Sequence, residues 1–263
     1  MTLHKRPYGV ALGFSAILAL TAAAPGHALA QAAAPATAKA GGEVEPGAVE
    51  ALKRMSAYLG TLTAFEIKAD NSLDLVLDDG QKVQVDGVAT YRVRRPNGFV
   101  IEASTDLKAR QFVYDGKSLT VYAPKLGYYA TVDAPPTIRQ ALDAASQKYG
   151  VTLPLEDLFR WSEPGGAERA SLLDEGFFVG GATLNGEETD QYAFRQGDID
   201  WQIWIRRGDK PVPVKVVIVD RSDEAQPAYT ARLSWNVAPS FAGDAFTFKP
   251  AKDARAISMI ASR

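Results

Sequence analysis

The spacing of apolar residues changes once near residue 65, and that change divides the chain. Between residues 46 and 59 the apolar residues Ala48, Val49, Leu52, Met55 and Leu59 recur at helical spacing. Pro46 suits the first turn of that helix and Gly60 its end. From Phe65 the period falls to two. Phe65 and Ile67, then Leu73, Leu75 and Leu77, alternate up to the turn Asp79-Gly80, and Val83, Val85, Tyr91 and Val93 alternate up to Pro96-Asn97-Gly98. Strands follow at Phe99–Ala103, Phe112–Tyr114, Leu119–Ala123 and around Tyr129, with Asp115-Gly116 as a turn.

A helical stripe then interrupts the alternation, with Ile138, Ala141, Leu142 and Ala145 placed between Pro135-Pro136 and Gly150. A shorter helix is expected from Leu155 to Trp161, before Pro164-Gly165-Gly166. Strands return at residues 177–184, 191–195, 199–206, 214–220, 229–235 and 246–248. The segment Arg207-Gly208-Asp209-Lys210-Pro211 joins two of them as a hairpin. Roughly eleven strands and three helices result, too many strands in succession for a βαβ arrangement. The expected fold class is mainly β (α+β): one strongly curved antiparallel sheet in a single domain, residues 46–263, with helices packed into its concave face.

The start of the chain changes the picture of where this domain works. Residues 1–30 read as a secretory signal peptide: His4, Lys5 and Arg6, an apolar run from Val10 to Ala24, then Ala28-Leu29-Ala30 before Gln31. The apolar run is shorter than the ~20 residues that span a bilayer, so a soluble periplasmic protein with no membrane span in its mature chain is expected. Residues 31–45, rich in Ala, Pro, Gly and Thr, read as a flexible linker. Export permits disulfides, but the chain has no cysteine, so its stability rests on an apolar core. The formal charge of −2 becomes about −4 after cleavage, too weak and too mixed to suggest nucleic acid.

Candidate chemistry narrows further. Both histidines, His4 and His27, precede the cleavage site, which removes Ser-His-Asp and Cys-His catalysis and the commonest zinc sites from the mature chain. Gly165-Gly166 and Gly180-Gly181 lack the surroundings of a nucleotide-binding loop. The carboxylate pairs Glu156-Asp157, Asp174-Glu175 and Glu187-Glu188 lie in expected loops or helix starts, where acids are usual. Asp198, Asp200 and Asp209 lack the spacing of a calcium loop and read as solvated turns. No catalytic residue, metal or cofactor is expected.

The aromatic residues point to binding. Phe65, Tyr91, Phe99, Phe112, Tyr114, Tyr129, Phe177, Phe194, Trp201 and Tyr229 occupy the apolar phase of their strands. Each is individually explained by core packing. Two or three short helices, however, do not cover so wide a sheet, and incomplete cover leaves an apolar cavity, a usual form for a small-ligand site.

Three stretches carry a resemblance to a known group. They are Phe112 to Tyr122 (FVYDGKSLTVY) followed by Gly127-Tyr128-Tyr129, the hairpin from Trp201 to Asp220, and the closing Phe246-Thr247-Phe248-Lys249-Pro250. Over residues 46–258 the chain resembles the LolA/LolB-like periplasmic lipoprotein carriers, and most closely an uncharacterised family of predicted periplasmic proteins. The resemblance implies an unclosed β half-barrel of about eleven strands whose helices cap an apolar cavity for acyl chains. Phe65, Tyr91, Phe99, Phe112, Tyr114, Leu119, Val121, Tyr129, Trp201 and Ile203 are the expected lining, with Ile138 and Leu142 on the lid. Arg92, Arg94, Arg110 and Arg139 are the candidates for a lid-latching arginine. A one-residue slip in any strand would turn its lining residues to the opposite face.

The expectation is therefore a monomeric, non-enzymatic periplasmic protein that binds a lipid, the acyl chain of a lipidated protein or another amphipathic ligand. The alternative is a sensor or scaffold whose cavity is filled by its own side chains and whose partner is an envelope protein. A third reading, a hydrolase, requires two carboxylates facing each other in one cleft.

Overall fold

The computed structural model describes residues 42–261 other than 152, 154 and 162–165. The expected signal peptide and most of the expected linker lie outside the described residues. Among the described residues three α-helices and twelve strands follow in chain order. Helix α1 (Pro46–Thr61) leads into β1 (Ala64–Val76), β2 (Lys82–Arg94), β3 (Gly98–Thr105), β4 (Ala109–Tyr114), β5 (Ser118–Ala123) and β6 (Tyr128–Asp133). Helices α2 (Ile138–Tyr149) and α3 (Glu156–Trp161) and a 3-10 turn (Gly166–Leu172) come next. Strands β7 (Glu175–Leu184), β8 (Glu187–Gln196), β9 (Ile199–Arg206), β10 (Pro213–Asp220), β11 (Ala228–Asn236) and β12 (Arg255–Ala256) complete the chain.

All twelve strands join one unclosed sheet in the order β12-β6-β5-β4-β3-β2-β1-β11-β10-β9-β8-β7. Two meanders, β1–β6 and β7–β11, thus meet where β1 pairs with β11, with Ile67 opposite Trp235 and Leu73 opposite Tyr229. The sheet is mixed rather than purely antiparallel, because the short β12 runs parallel to β6. It is the twelfth strand. The strand expected at 246–248 is instead a turn; Phe246 there is buried against Val100 and Val113 on the sheet's outer face. The alternations at 65–67 and 73–77 prove to be one 13-residue strand, and those at 83–85 and 91–93 another.

One face of the sheet carries the core. Phe65, Ile67, Tyr91, Val93, Phe99, Ile101, Tyr114, Leu119, Ile203, Val216, Ala231 and Leu233 cluster there with Leu52, Met55 and Leu59 of α1 and Ile138, Leu142 and Ala145 of α2. Thr137 caps α2 by accepting the Gln140 N–H, and Gly150 ends it in the left-handed region at φ 64°. Hydrogen bonds also tie the helices to the strand connections and to each other: Ile138 N–H donates to the Pro96 carbonyl at 2.9 Å, and Ser56 Oγ to the Trp161 carbonyl at 2.5 Å. The end of the expected linker is also anchored. Glu45 N–H donates to Gly176 O, and the Glu45 carboxylate accepts the Phe178 N–H at 3.0 Å.

Candidate ligand chamber

The six-residue helix α3 decides how the inner face is filled. Its Phe159 ring sits 6.4 Å from each of Phe65, Tyr91 and Phe99, three aromatics on three adjacent strands. Phe99 in turn packs 5.3 Å from Tyr114, whose hydroxyl donates to the Pro135 carbonyl at 2.5 Å. Both Phe99 and Tyr114 are 0% exposed. What remains between Phe159, Phe65 and Tyr91 is a void of about 10 Å³, room for about one water. Over β1–β6 the protein fills its own face.

Two residues further along, Trp161 leaves α3 in the other direction and reaches Trp201 on β9 at 6.3 Å; Trp201 stacks on Phe194 of β8 at 4.3 Å. Behind this aromatic rim lies a chamber of about 640 Å³, within the range usual for small-molecule sites. Leu153, Leu155, Leu158, Trp161 and Met55 form its roof and Ile199, Trp201, Ile203, Val216, Ile218 and Tyr229 its floor, with Ser146, Glu156, Arg160, Arg169 and Gln196 around it. The middle of the floor is one row of the sheet: Trp201 opposes Ile218, and Ile218 opposes Tyr229.

Tyr229 is the polar feature of that floor. Its hydroxyl is buried without a hydrogen-bond partner among the described residues, an omission that costs about 1–3 kcal/mol when uncompensated. Burial pushes its phenol up to about 12, so it remains a neutral donor at any physiological pH. Glu156, the acid on the chamber wall, is tied to Arg160, whose Nε lies 3.1 Å from Oε1.

The expected lining residues divide between these regions. Trp201 and Ile203 line the chamber. Phe65 and Tyr91 border the water-sized void, and Phe99, Phe112, Tyr114, Leu119 and Val121 pack in or against the core of β1–β6 without reaching the chamber. Ile138 and Leu142, expected on a lid, are core residues of α2, and Ile138 borders a separate, polar-rimmed cleft with Lys53, Arg95 and Arg139. Tyr129 does not line the inner face. It pairs with Tyr122, not with Leu119 or Val121, and packs on the outer face 5.0 Å from Phe248. Phe177 likewise faces outward, leaving Phe178 on the inner face 5.4 Å from Tyr192. The alternation did not single out Leu153, Leu155 or Leu158 as roof residues, since they lie in and beside a helix of under two turns.

Other candidate groups are occupied. Arg92 pairs with Glu102, and Arg94 lies 4.6 Å over the Phe246 ring, both on the outer face. Glu187 pairs with Arg206 at 2.8 Å, Glu175 with Arg195 at 3.3 Å, and the Asp174 carboxylate accepts the Gly197 N–H. Asp200 is held below the usual carboxylate range first by its hydrogen bonds from Arg195. Among the described residues no group of three or more candidate metal ligands assembles, and no helix is long and apolar enough to cross a membrane.

The fold and the chamber define an unclosed half-barrel with helices over its inner face. The chain belongs to the family described as predicted periplasmic protein (DUF2092), whose model matches residues 48–260. The protein is thus periplasmic by its family. No curated protein matches it. The chain is similar to an uncharacterized conserved protein from Thermus thermophilus (12% identity, 81% of this chain and 99% of that one, TM-score 0.47). It is also similar to LprF from Mycobacterium bovis (16%, 78% and 100%, 0.46) and to MucB in the Pseudomonas aeruginosa MucA/MucB complex (15%, 77% and 61%, 0.41).

Proposed function

We propose that the protein is a non-enzymatic periplasmic binding protein that holds an amphipathic ligand, a lipid or the acyl chain of a lipidated protein, between α3 and strands β9–β11. The observation that carries this reading is an apolar chamber of about 640 Å³ with the unpartnered Tyr229 hydroxyl in its floor. The volume has room for roughly 20 groups the size of a water or a methylene. Each buried methylene contributes about 0.8 kcal/mol, so a single chain suffices for useful affinity, and release needs only a receiver that binds more tightly. An acceptor oxygen on the ligand would relieve the Tyr229 donor. No covalent step is called for: Glu156, Glu175 and Glu187 pair with arginines and the Asp174 carboxylate accepts a backbone N–H.

Native mass spectrometry of the protein isolated from the periplasm, with lipid extraction, tests this. A co-purifying acyl species in stoichiometric amount is expected. An apo mass, together with no uptake of a fluorescent fatty acid, would contradict the reading. That outcome would favour the alternative of a sensor or scaffold with a protein partner, for which the observation in favour is the self-filled face over β1–β6.

A further inference from the structure

The β1–β2 hairpin runs on past its neighbours. β1 pairs with β11 only as far as Leu73, and β2 pairs with β3 only as far as Gly87, yet β1 and β2 continue to pair out to Val76 and Lys82. Residues 74–86 therefore form a two-stranded ribbon that stands alone, an arrangement of marginal stability in water. Its two faces differ. On the face continuous with the sheet's outer side, Asp74 accepts the Ala228 N–H at 3.2 Å and lies 3.7 Å from Lys82. On the face continuous with the inner side, Leu73 opposes Val85 and Leu75 opposes Val83. Leu73, Leu75 and Val83 are 42, 42 and 40% exposed. Three of these four adjoining aliphatic side chains are thus open to solvent, and Val85 beside them is half-buried.

The register shows what this strip continues. Trp201, Ile218, Tyr229, Leu73 and Val85 form one row across five strands. The first three are chamber floor; the last two are ribbon. Tyr229 stands at the junction, one strand spacing of about 4.8 Å from Leu73. The tip of the ribbon carries Asp78 and Asp79, which disfavours an anionic membrane surface as its cover.

We infer that the apolar face of the ribbon is the outer part of the ligand site, and that the ligand is a lipid with at least two hydrocarbon chains. One chain occupies the chamber, a second lies along Leu73, Leu75, Val83 and Val85, and an ester or amide oxygen between them accepts the Tyr229 hydroxyl. This rests on the binding reading above and names the ligand class for it. Leu75 and Val83 are exposed, so polar substitutions there leave the fold intact.

The test compares monooleoylglycerol with dioleoylglycerol as competitors for a fluorescent fatty acid, on the full mature chain and on L75N/V83N. The double variant should bind dioleoylglycerol about tenfold more weakly, equivalent to about 1.4 kcal/mol, and monooleoylglycerol unchanged. Tyr229→Phe should weaken both glycerides but not a plain long-chain alkane. Equal binding of dioleoylglycerol by wild type and L75N/V83N would overturn the ribbon's role while leaving the chamber reading intact. Failure of wild type to take up either lipid would instead remove the chamber reading, and this inference with it. Sedimentation velocity separates a third outcome. A wild-type dimer that L75N/V83N dissolves, with lipid binding unchanged, would assign the strip to a second copy of the chain and overturn the inference.

Discussion

The two meanders share one sheet and one inner face but treat that face in opposite ways. Over β1–β6 an aromatic from α3, Phe159, meets Phe65, Tyr91 and Phe99 and closes the space to about 10 Å³. Over β9–β11 the same helix offers Trp161, which reaches only the rim at Trp201 and leaves about 640 Å³ open behind it. The first half is built as a core and the second as a container. A chain that needed only to fold would gain from filling both, because unfilled apolar space forfeits packing contacts. On the proposed reading, binding falls to the C-terminal meander and stability to the N-terminal one.

The comparison is broken most severely at Phe159. Phe159→Ala should cost about 3–5 kcal/mol in a denaturant titration, and should join the small void beside Phe65 to the chamber through Leu155 and Leu158, which border both. Any folded variant should then accept bulkier ligands than wild type. High pH should unfold the protein by attacking both halves. Burial raises the phenols of Tyr91, Tyr114 and Tyr229, the latter two to about 12. Groups raised in the folded state contribute stability that is complete below the unfolded value of about 10 and is lost as pH climbs through the folded values. Phenolate absorbance and circular dichroism followed together should therefore show late-ionising tyrosines that titrate with unfolding.

Trp201→Ala sharpens the contrast. It removes the stack on Phe194 and should cost only about 1–2 kcal/mol of stability, yet reduce acyl-probe affinity about tenfold. Smallest of all, Tyr229→Phe should raise the stability of the ligand-free protein by about 1 kcal/mol, since it deletes a buried hydroxyl without a partner. Thermal melts with and without ligand would show the sign reverse as the site fills.

Much of this architecture was legible in the alternation of residues. A two-residue period marked the antiparallel ladder, and Pro135-Pro136 before the apolar stripe and Gly150 after it marked α2. The closing segment failed because Phe246 and Phe248 alternate as a strand would, yet their burial comes from docking on the outer face beside Val100 and Tyr129. Face assignment failed where two aromatics are adjacent. Tyr128-Tyr129 and Phe177-Phe178 fit either phase of a strand, and only the register with the neighbouring strand, Tyr122 or Tyr192, decides between them. The position of the chamber was not readable at all. It depends on which way two side chains of a six-residue helix point, a matter of long-range packing that local periodicity does not encode. Hence Trp201 and Ile203 were found among the lining, while Tyr229 was seen only as one aromatic among ten.

The most direct measurement fills the container and leaves the core alone. Ile218 lies in the chamber floor between Trp201 and Tyr229, and Ile218→Trp places a large ring in the open space. Uptake of cis-parinaric acid, followed by its fluorescence, should be lost in this variant while its unfolding midpoint stays at or above that of wild type. Unchanged uptake by a folded Ile218→Trp protein would show that the ligand site lies elsewhere and would contradict the division of labour between the two meanders.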